Sequence, residues 1–146
     1  MADKQSIRVV AAEIERDGRF LITQRRPTAI LPLLWEFPSG KVEPGETDEE
    51  ALAREIEWRM QVRVTVGKLS MFLKHDYDDY ELDFCVYRCR LVDDAPIEKR
   101  RIHDFRWVTP LEMDGYEFPP QDAQTVAKLL ANRDVTSAPS ALTPGE

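Results

Sequence analysis

The chain has only two cysteines, Cys85 and Cys89, in 146 residues. Four residues apart on a strand, they are separated by roughly 13 Å at ~3.3 Å per residue. A disulfide needs Cα atoms within about 7 Å. They are therefore expected as free thiols on one strand face, which fits a reducing cytoplasm. The chain also has no run near the ~18 apolar residues of a membrane span, and its first residues, MADKQSIRVV, carry no signal-peptide apolar core. It has no excess of basic charge: 20 Lys and Arg against 27 Asp and Glu give a net charge of −7. That balance argues against a nucleic-acid polymer or an anionic membrane as partner, while leaving room for a small basic pocket that takes one nucleotide. Internal repeats are absent.

What is present is an ordinary globular composition, 42% hydrophobic and 32% charged, at a length that favours one domain. Residues 7–15 and 20–24 read as strands joined by the hairpin signal Asp17-Gly18. A loop with two prolines follows, then a short extended piece at 35–37. Thr47 and Glu50 form a capping box that opens a helix from Asp48 to about Met60. Leu52, Ile56 and Met60 make its core stripe. Residues 62–73 read as a strand interrupted near Gly67, 75–81 as an acidic loop, and 82–91 as a second long strand with Phe84, Val86 and Arg88 on one face. Residues 105–108 read as a short strand, and a short helix is expected from Pro110 to about Met113. A last helix is expected over 121–132 with Val126, Leu129 and Leu130 inward. The Ser/Pro/Ala/Thr-rich stretch 133–146 reads as a disordered tail after a single domain spanning 1–132.

The densest set of placed residues is WEFPSGKVEPGETDEEALAREIEWRMQV, from Trp35 to Val62. It resembles the Nudix box, G-x5-E-x7-R-E-U-x-E-E-x-G-U with U aliphatic. Gly40, Glu46, Arg54, Glu55, Ile56 and Val62 match; Trp58, Arg59 and Gln61 depart from it. FRWVTPLEM and YEFPPQDAQTVAKL extend the likeness to MutT-like and CTP-pyrophosphohydrolase-like members. The resemblance implies an α/β (α+β) fold, an α/β/α sandwich around a mixed β-sheet. It also implies hydrolysis of a nucleoside diphosphate linked to another group, with Mg2+ or Mn2+ as cofactor.

The metal site is where the sequence departs. A helix gathers carboxylates at i, i+3 and i+4 on one face, and hard cations need such oxygen clusters. Glu55 holds the first position, but Trp58 and Arg59 hold the other two. Glu57 points about 200° away from Glu55, and Asp48 lies two turns off, roughly 10 Å. In many relatives a glutamate stands six residues before the tryptophan matching Trp107; here that residue is Arg101. Asp79, Glu81, Asp83 and Glu98 are the remaining carboxylates that loops could bring in. Two readings stay open. Arg59 and Arg101 place two guanidinium groups where metal would sit, and these bind phosphate oxygens directly. Otherwise Arg59 is a solvated residue pairing with Glu55, and Arg101 is a loop charge.

The resemblance assigns further roles. Glu46 and Arg54 match an ion pair bracing loop to helix, with Glu55, Arg54 and Glu46 forming the catalytic box. The Ser39 carbonyl and Glu55 are the metal-facing groups. Gly40 is expected to serve through positive φ. Arg26 resembles a phosphate contact. Phe37, Phe118 and Asp122 suggest a base pocket, with Asp122 equally suited to pairing with a helix dipole. Trp35 is read as core or as a base-stacking ring, and His75 as a surface residue. The partner class is a nucleotide or other phosphorylated small molecule, the assembly a monomer or homodimer. Function divides between a divergent pyrophosphohydrolase using Mg2+ or Mn2+ and a catalytically inactive nucleotide- or anion-binding module needing no metal.

Overall fold

The computed structural model describes residues 5–120 and, beyond them, Asp122, Val126, Ala127 and Leu129. The strands are β1 (Gln5–Arg16), β2 (Arg19–Gln24), β3 (Trp35–Glu36), β4 (Ser39–Lys41), β5 (Val64–Asp76), β6 (Tyr80–Leu91) and β7 (Asp104–Val108). One regular helix, α1 (Asp48–Met60), and a 3-10 turn at Glu112–Gly115 complete the fully described elements. Helical backbone recurs at Pro120, Asp122, Val126, Ala127 and Leu129, within or beside the expected last helix. The remainder of that helix and the 133–146 stretch lie outside the described residues. No described helix is long and apolar enough to cross a membrane.

β1 organises the sheet. Its residues pair in parallel with β6 from Gln5↔Tyr80 to Ile14↔Cys89. On the other side Val9–Ala11 pair antiparallel with β4, and Glu15 and Arg16 pair with β2 across the hairpin. Asp17 and Gly18 both take positive φ, 54° and 78°, as the Asp-Gly signal predicts for a tight turn whose twist matches the strands. β7 and β3 flank β2, while β5 pairs with β6 at the far edge. The sheet is mixed, as the resemblance implied.

Because side chains alternate along β1 and β6, each strand feeds two cores. Val10, Ala12, Ile14, Cys85, Tyr87 and Cys89 face α1, which buries Ala51, Leu52, Ile56 and Met60 against them. Burying each large apolar side chain of that stripe contributes about 1.5–3 kcal/mol. Ala11, Phe84 and Val86 face the opposite layer, which holds Phe37, Met113 and Leu129. Both cysteines are free and buried on the α1 side.

The capping box is formed in full: Glu50 N–H donates to Thr47 Oγ1 at 3.1 Å, and Thr47 N–H donates to Glu50 Oε1 at 2.9 Å. At the other end Gln61 takes φ 58°, ψ 32°, and its N–H caps the Glu57 carbonyl. A left-handed residue stands where the Nudix box has Gly, although no Gly is present. The neighbouring carbonyls are taken by a loop: Glu98 N–H donates to Met60 O, and Arg101 N–H to Arg59 O, both at 3.0 Å.

Three expectations change. The acidic loop 75–81 shrinks to residues 77–79, because Tyr77 N–H donates to Tyr80 O at 2.9 Å and closes a tight turn. His75, Tyr77 and Tyr80 stack in a row across it, at 5.4 and 4.9 Å between centroids. The short helix after Thr109 begins later, as the 3-10 turn from Glu112, with Thr109 and Glu112 exchanging side chain-to-backbone hydrogen bonds. Residues 39–41, to which the sequence assigns no strand, form β4.

A left-handed glutamine costs about 1 kcal/mol relative to glycine. Gln61→Gly is therefore expected to raise stability by roughly 0.5–1 kcal/mol in urea unfolding, and an unchanged or lower midpoint would contradict that origin of strain.

Candidate functional site

A cleft of about 550 Å³ opens between β4, the start of the loop leading to α1, and the face of α1 that carries Glu55. Its wall includes Ser39, Gly40, Lys41, Glu43, Glu55 and Arg59, and its other end Arg25, Glu36 and Asp122. The strand β4 places the first three by pairing with Val9–Ala11.

Glu55 sits at the centre with its side chain only 12% exposed. Its Oε2 accepts from Arg54 and its Oε1 from Arg59 Nε, both at 2.9 Å. Both carboxylate oxygens are thus engaged by guanidinium groups. Arg54 in turn spends its whole fork. Its Nε and one terminal nitrogen clasp Glu46 at 2.7 and 2.9 Å, and that same terminal nitrogen reaches Lys41 O at 3.0 Å. This bidentate pair holds Glu46 down to a pKa of about 2, helped by the Glu43 N–H. It ties the 41–46 loop to the helix, the bracing geometry the resemblance implied. Arg59 differs from Arg54. Among the described residues its Nε alone is hydrogen-bonded, so its two terminal nitrogens remain available on the cleft wall.

Gly40 is required for a reason other than positive φ, since it is absent from the residues in that region. A Cβ there would overlap the Glu55 side chain. The glycine lets β4 lie directly against the carboxylate.

At the other end, Arg25 donates to Glu36 at 3.0 Å and through Nε to Ile30 O at 2.7 Å. Asp122 is 4% exposed. Burial first, then the neighbouring Glu36 charge, push its carboxyl well above the usual range, with Arg25 opposing. Burial also raises Glu36, again against the pull of Arg25.

The expected site residues divide. Ser39, Glu55, Arg59 and Asp122 line one cleft, with Arg54 and Glu46 bracing its wall. Arg26 is exposed outside it; β2 ends at Gln24, the chain turns back through Arg25 N–H to Leu34 O, and Arg25 faces inward instead. Arg101 does not line the cleft. Its guanidinium lies over the Trp58 ring at 4.4 Å, held there by the loop that caps α1. Phe37 is fully buried and packs on Phe118 at 5.7 Å, so it offers no surface to a ligand. Trp35 packs edge-on against Tyr116 at 5.0 Å. Arg25, Glu36, Lys41 and Glu43 were not among the expected residues. Glu36 and Lys41 sit inside WEFPSGK, which was the signal available for them.

The four carboxylates that loops could have supplied stay away. Asp83 pairs with Lys74 at 3.0 Å and Arg8 at 3.5 Å, Glu81 lies 4.0 Å from Lys74, and Glu98 pairs with Arg100. Neither they nor Asp79 line the cleft. No group of three His, Cys, Asp or Glu among the described residues is arranged to hold a metal. Mg2+ demands near-octahedral oxygen coordination, and here the central carboxylate is already neutralised by two arginines. The donor set as built does not fit a divalent cation.

A profile of the NUDIX domain matches residues 9–128, and the chain belongs to the Nudix family. It is 31% identical over 129 residues to the 8-oxo-dGTP diphosphatase of Haemophilus influenzae, covering 88% of this chain and 94% of that protein. It is 48% identical over 62 residues to the CTP pyrophosphohydrolase of Escherichia coli; that match spans 42% of this chain and about half, 46%, of the relative's length. Among solved structures it resembles the E. coli ORF135 protein, with TM-score 0.78 and 29% identity over 92% of this chain and 96% of that one. It also resembles the MutT protein of methicillin-resistant Staphylococcus aureus 252, with TM-score 0.71 and 35% identity over 89% and 99%.

Two outcomes test this arrangement. Arg54→Lys keeps the charge but loses the fork, and is expected to cost about 1 kcal/mol in chemical denaturation, since the pair is partly solvent-screened. Asp122 is raised in the folded state, so its contribution to stability is fully present below the unfolded value near 3.8 and is lost as pH rises toward the folded value. Asp122→Asn is therefore expected to raise the Tm relative to the native protein at neutral pH, with the gap closing toward about pH 4. A gap that widens on acidification would reverse the assignment.

Proposed function

We propose that this Nudix protein binds a nucleotide or another phosphorylated small molecule through its own cations, and hydrolyses phosphoanhydrides weakly or not at all. The observation that carries this reading is the state of Glu55: both oxygens are ion-paired, one of them to Arg59 at the position where the box has a metal-ligating glutamate. With Nε anchored on Glu55, Arg59 presents its terminal nitrogens as a pre-oriented fork for phosphate oxygens. Lys41, on the same wall and without an ion pair among the described residues, adds a second positive charge. At the far end Glu36 and Asp122 offer carboxyl groups of raised pKa, suited to hydrogen bonding with a polar ring edge such as that of a base. Two free buried thiols suit a protein of the reducing cytoplasm.

The second reading is a metal-dependent nucleoside di- or triphosphate pyrophosphohydrolase with altered ligands. It is favoured by the names of the relatives, which are diphosphatases and pyrophosphohydrolases.

The two readings separate in titration with nucleoside di- and triphosphates in the presence of chelator. Direct binding predicts saturable affinity without metal, weakened about tenfold or more by Arg59→Glu, which removes a charge-assisted contact and adds repulsion. Undiminished affinity in that variant would sink the proposal. In parallel, phosphate and pyrophosphate release with Mg2+ or Mn2+ is expected to rise about tenfold or more in the Trp58→Glu/Arg59→Glu double variant over the native protein. Native turnover that matches or exceeds the double variant's would establish the second reading instead.

A further inference from the structure

The last turn of α1 carries a second cationic feature, outside the cleft. Trp58 follows Glu55 by three residues and Arg59 follows it by four, so all three share one face of the helix. Trp58 is 48% exposed. The groups against its ring are charged. The Arg101 guanidinium carbon lies 4.4 Å from the ring centroid and that of Arg59 5.8 Å. Both distances are within the range of cation–π attraction. One indole therefore links the arginine of the cleft wall to an arginine beyond it.

Arg101 is held there by its backbone and by the ring, not by a carboxylate. Its N–H donates to Arg59 O, and Glu98 N–H donates to Met60 O, both at 3.0 Å, which fastens this loop to the helix end. The carboxylates nearest in sequence are already engaged: Glu98 pairs with Arg100, and Asp104 with Lys99 and Arg106. Among the described residues the Arg101 guanidinium has no ion pair or hydrogen bond, only its contact with Trp58. The chain has a net charge of −7, yet it leaves this cation uncompensated. A ring contact orients a guanidinium while leaving its N–H groups to bind an anion.

Two such guanidinium groups on one ring suit an anion with more than one charged group. Their carbons are no farther apart than their two distances to the shared centroid laid end to end. We propose that Arg101, supported by Trp58, is a second phosphate site beside the cleft, taking the next group of a chain of linked phosphates whose first group sits at Arg59. The chemistry recognised is the linked phosphate chain, whether free or carried by a nucleoside. This site rests on the reading of Arg59 as an anion-binding group and extends it: a single phosphate occupies Arg59 alone, and a longer chain occupies both. The charge-assisted hydrogen bonds at Arg101 then form only with the longer ligand.

Calorimetric titration of the full chain in chelator, with inorganic phosphate and tripolyphosphate as probes, tests the site. The native chain is expected to bind tripolyphosphate about tenfold or more tightly than phosphate. Arg101→Gln keeps the backbone N–H that caps α1. It is expected to remove most of that advantage while leaving the affinity for phosphate unchanged. Arg100→Gln removes the same charge from the same loop and is expected to keep the native ratio. Arg59→Gln is expected to weaken both probes, so the two readings fail separately: phosphate binding indifferent to Arg59 overturns the cleft reading. A ratio unmoved by Arg101→Gln, or lowered equally by Arg100→Gln, overturns the second site. Trp58 reports the location. Tripolyphosphate is expected to change the tryptophan fluorescence, and Trp58→Phe to abolish that change; a change that persists in this variant places the chain elsewhere and overturns the site. The four common ribonucleoside triphosphates, titrated alongside, distinguish the sources. Binding tighter than tripolyphosphate, with the same loss in Arg101→Gln, assigns the chain to a nucleotide, and binding no tighter assigns it to free polyphosphate.

Discussion

The carboxylate of Glu55 lies between Arg54 and Arg59 with almost no access to water, and the surrounding structure is arranged to hold it there. A buried carboxylate is costly unless paired, and each oxygen here has its own guanidinium. Arg54 can reach it only because Glu46 clasps the other side of the fork, which fixes the loop before α1. Gly40 can lie over it only because glycine has no side chain to displace it. β4 holds Gly40 in place by pairing with Val9–Ala11. The packing of Leu52, Ile56 and Met60 against β1 and β6 sets the rotation of α1, so Glu55 and Arg59 face the cleft and Glu57 faces away. Core packing and site electrostatics are in this sense one constraint.

The same clamp changes what the site can do. In a helix-borne metal site, unpaired carboxylates stand together and a cation repays their repulsion. Here the neutralising charge is covalently part of the helix. Arg59 cannot leave and cannot lower the pKa of a bound water as a metal does. What it can do is offer planar donors to an anion. The departure at Trp58 has its own structural consequence. The indole supports the Arg101 guanidinium outside the cleft, and the loop bearing Arg101 closes the helix end by capping the carbonyls of Arg59 and Met60. Two replacements that look alike in the sequence thus have different fates, one lining the cleft and one stacked on its outer flank.

Much of the fold was legible because it rests on local rules. The Asp17-Gly18 turn, the Thr47–Glu50 capping box and the Leu52/Ile56/Met60 stripe each arise from interactions within a few residues, and each appears as expected. Elements that depend on partners far along the chain were harder to see. Ser39-Gly40-Lys41 has little strand propensity and is a strand because β1 offers it a ladder. The 75–81 segment reads as loop by polarity, yet a row of stacked rings and one backbone hydrogen bond make most of it strand. In the site, Glu55, Arg59 and Asp122 could be named from the resemblance to the Nudix box and to the stretch after Phe118. Arg25 could not be distinguished from Arg26, since the chain leaves β2 one residue earlier and strand parity no longer applies.

The sequence by itself determined the family, the helix with its cap and core stripe, and the substitution of Trp58 and Arg59 for expected ligands, because these are properties of residue identity at fixed spacing. Tertiary structure decided the rest. It determined that Arg59 faces the cleft while Arg101 does not, that Phe37 is core while Glu36 is wall, and that Gly40 serves by yielding space to Glu55 rather than by its φ. Spacing along a chain specifies which side chains share an element's face. Only packing between elements specifies which faces meet and which charges are thereby brought within hydrogen-bond reach.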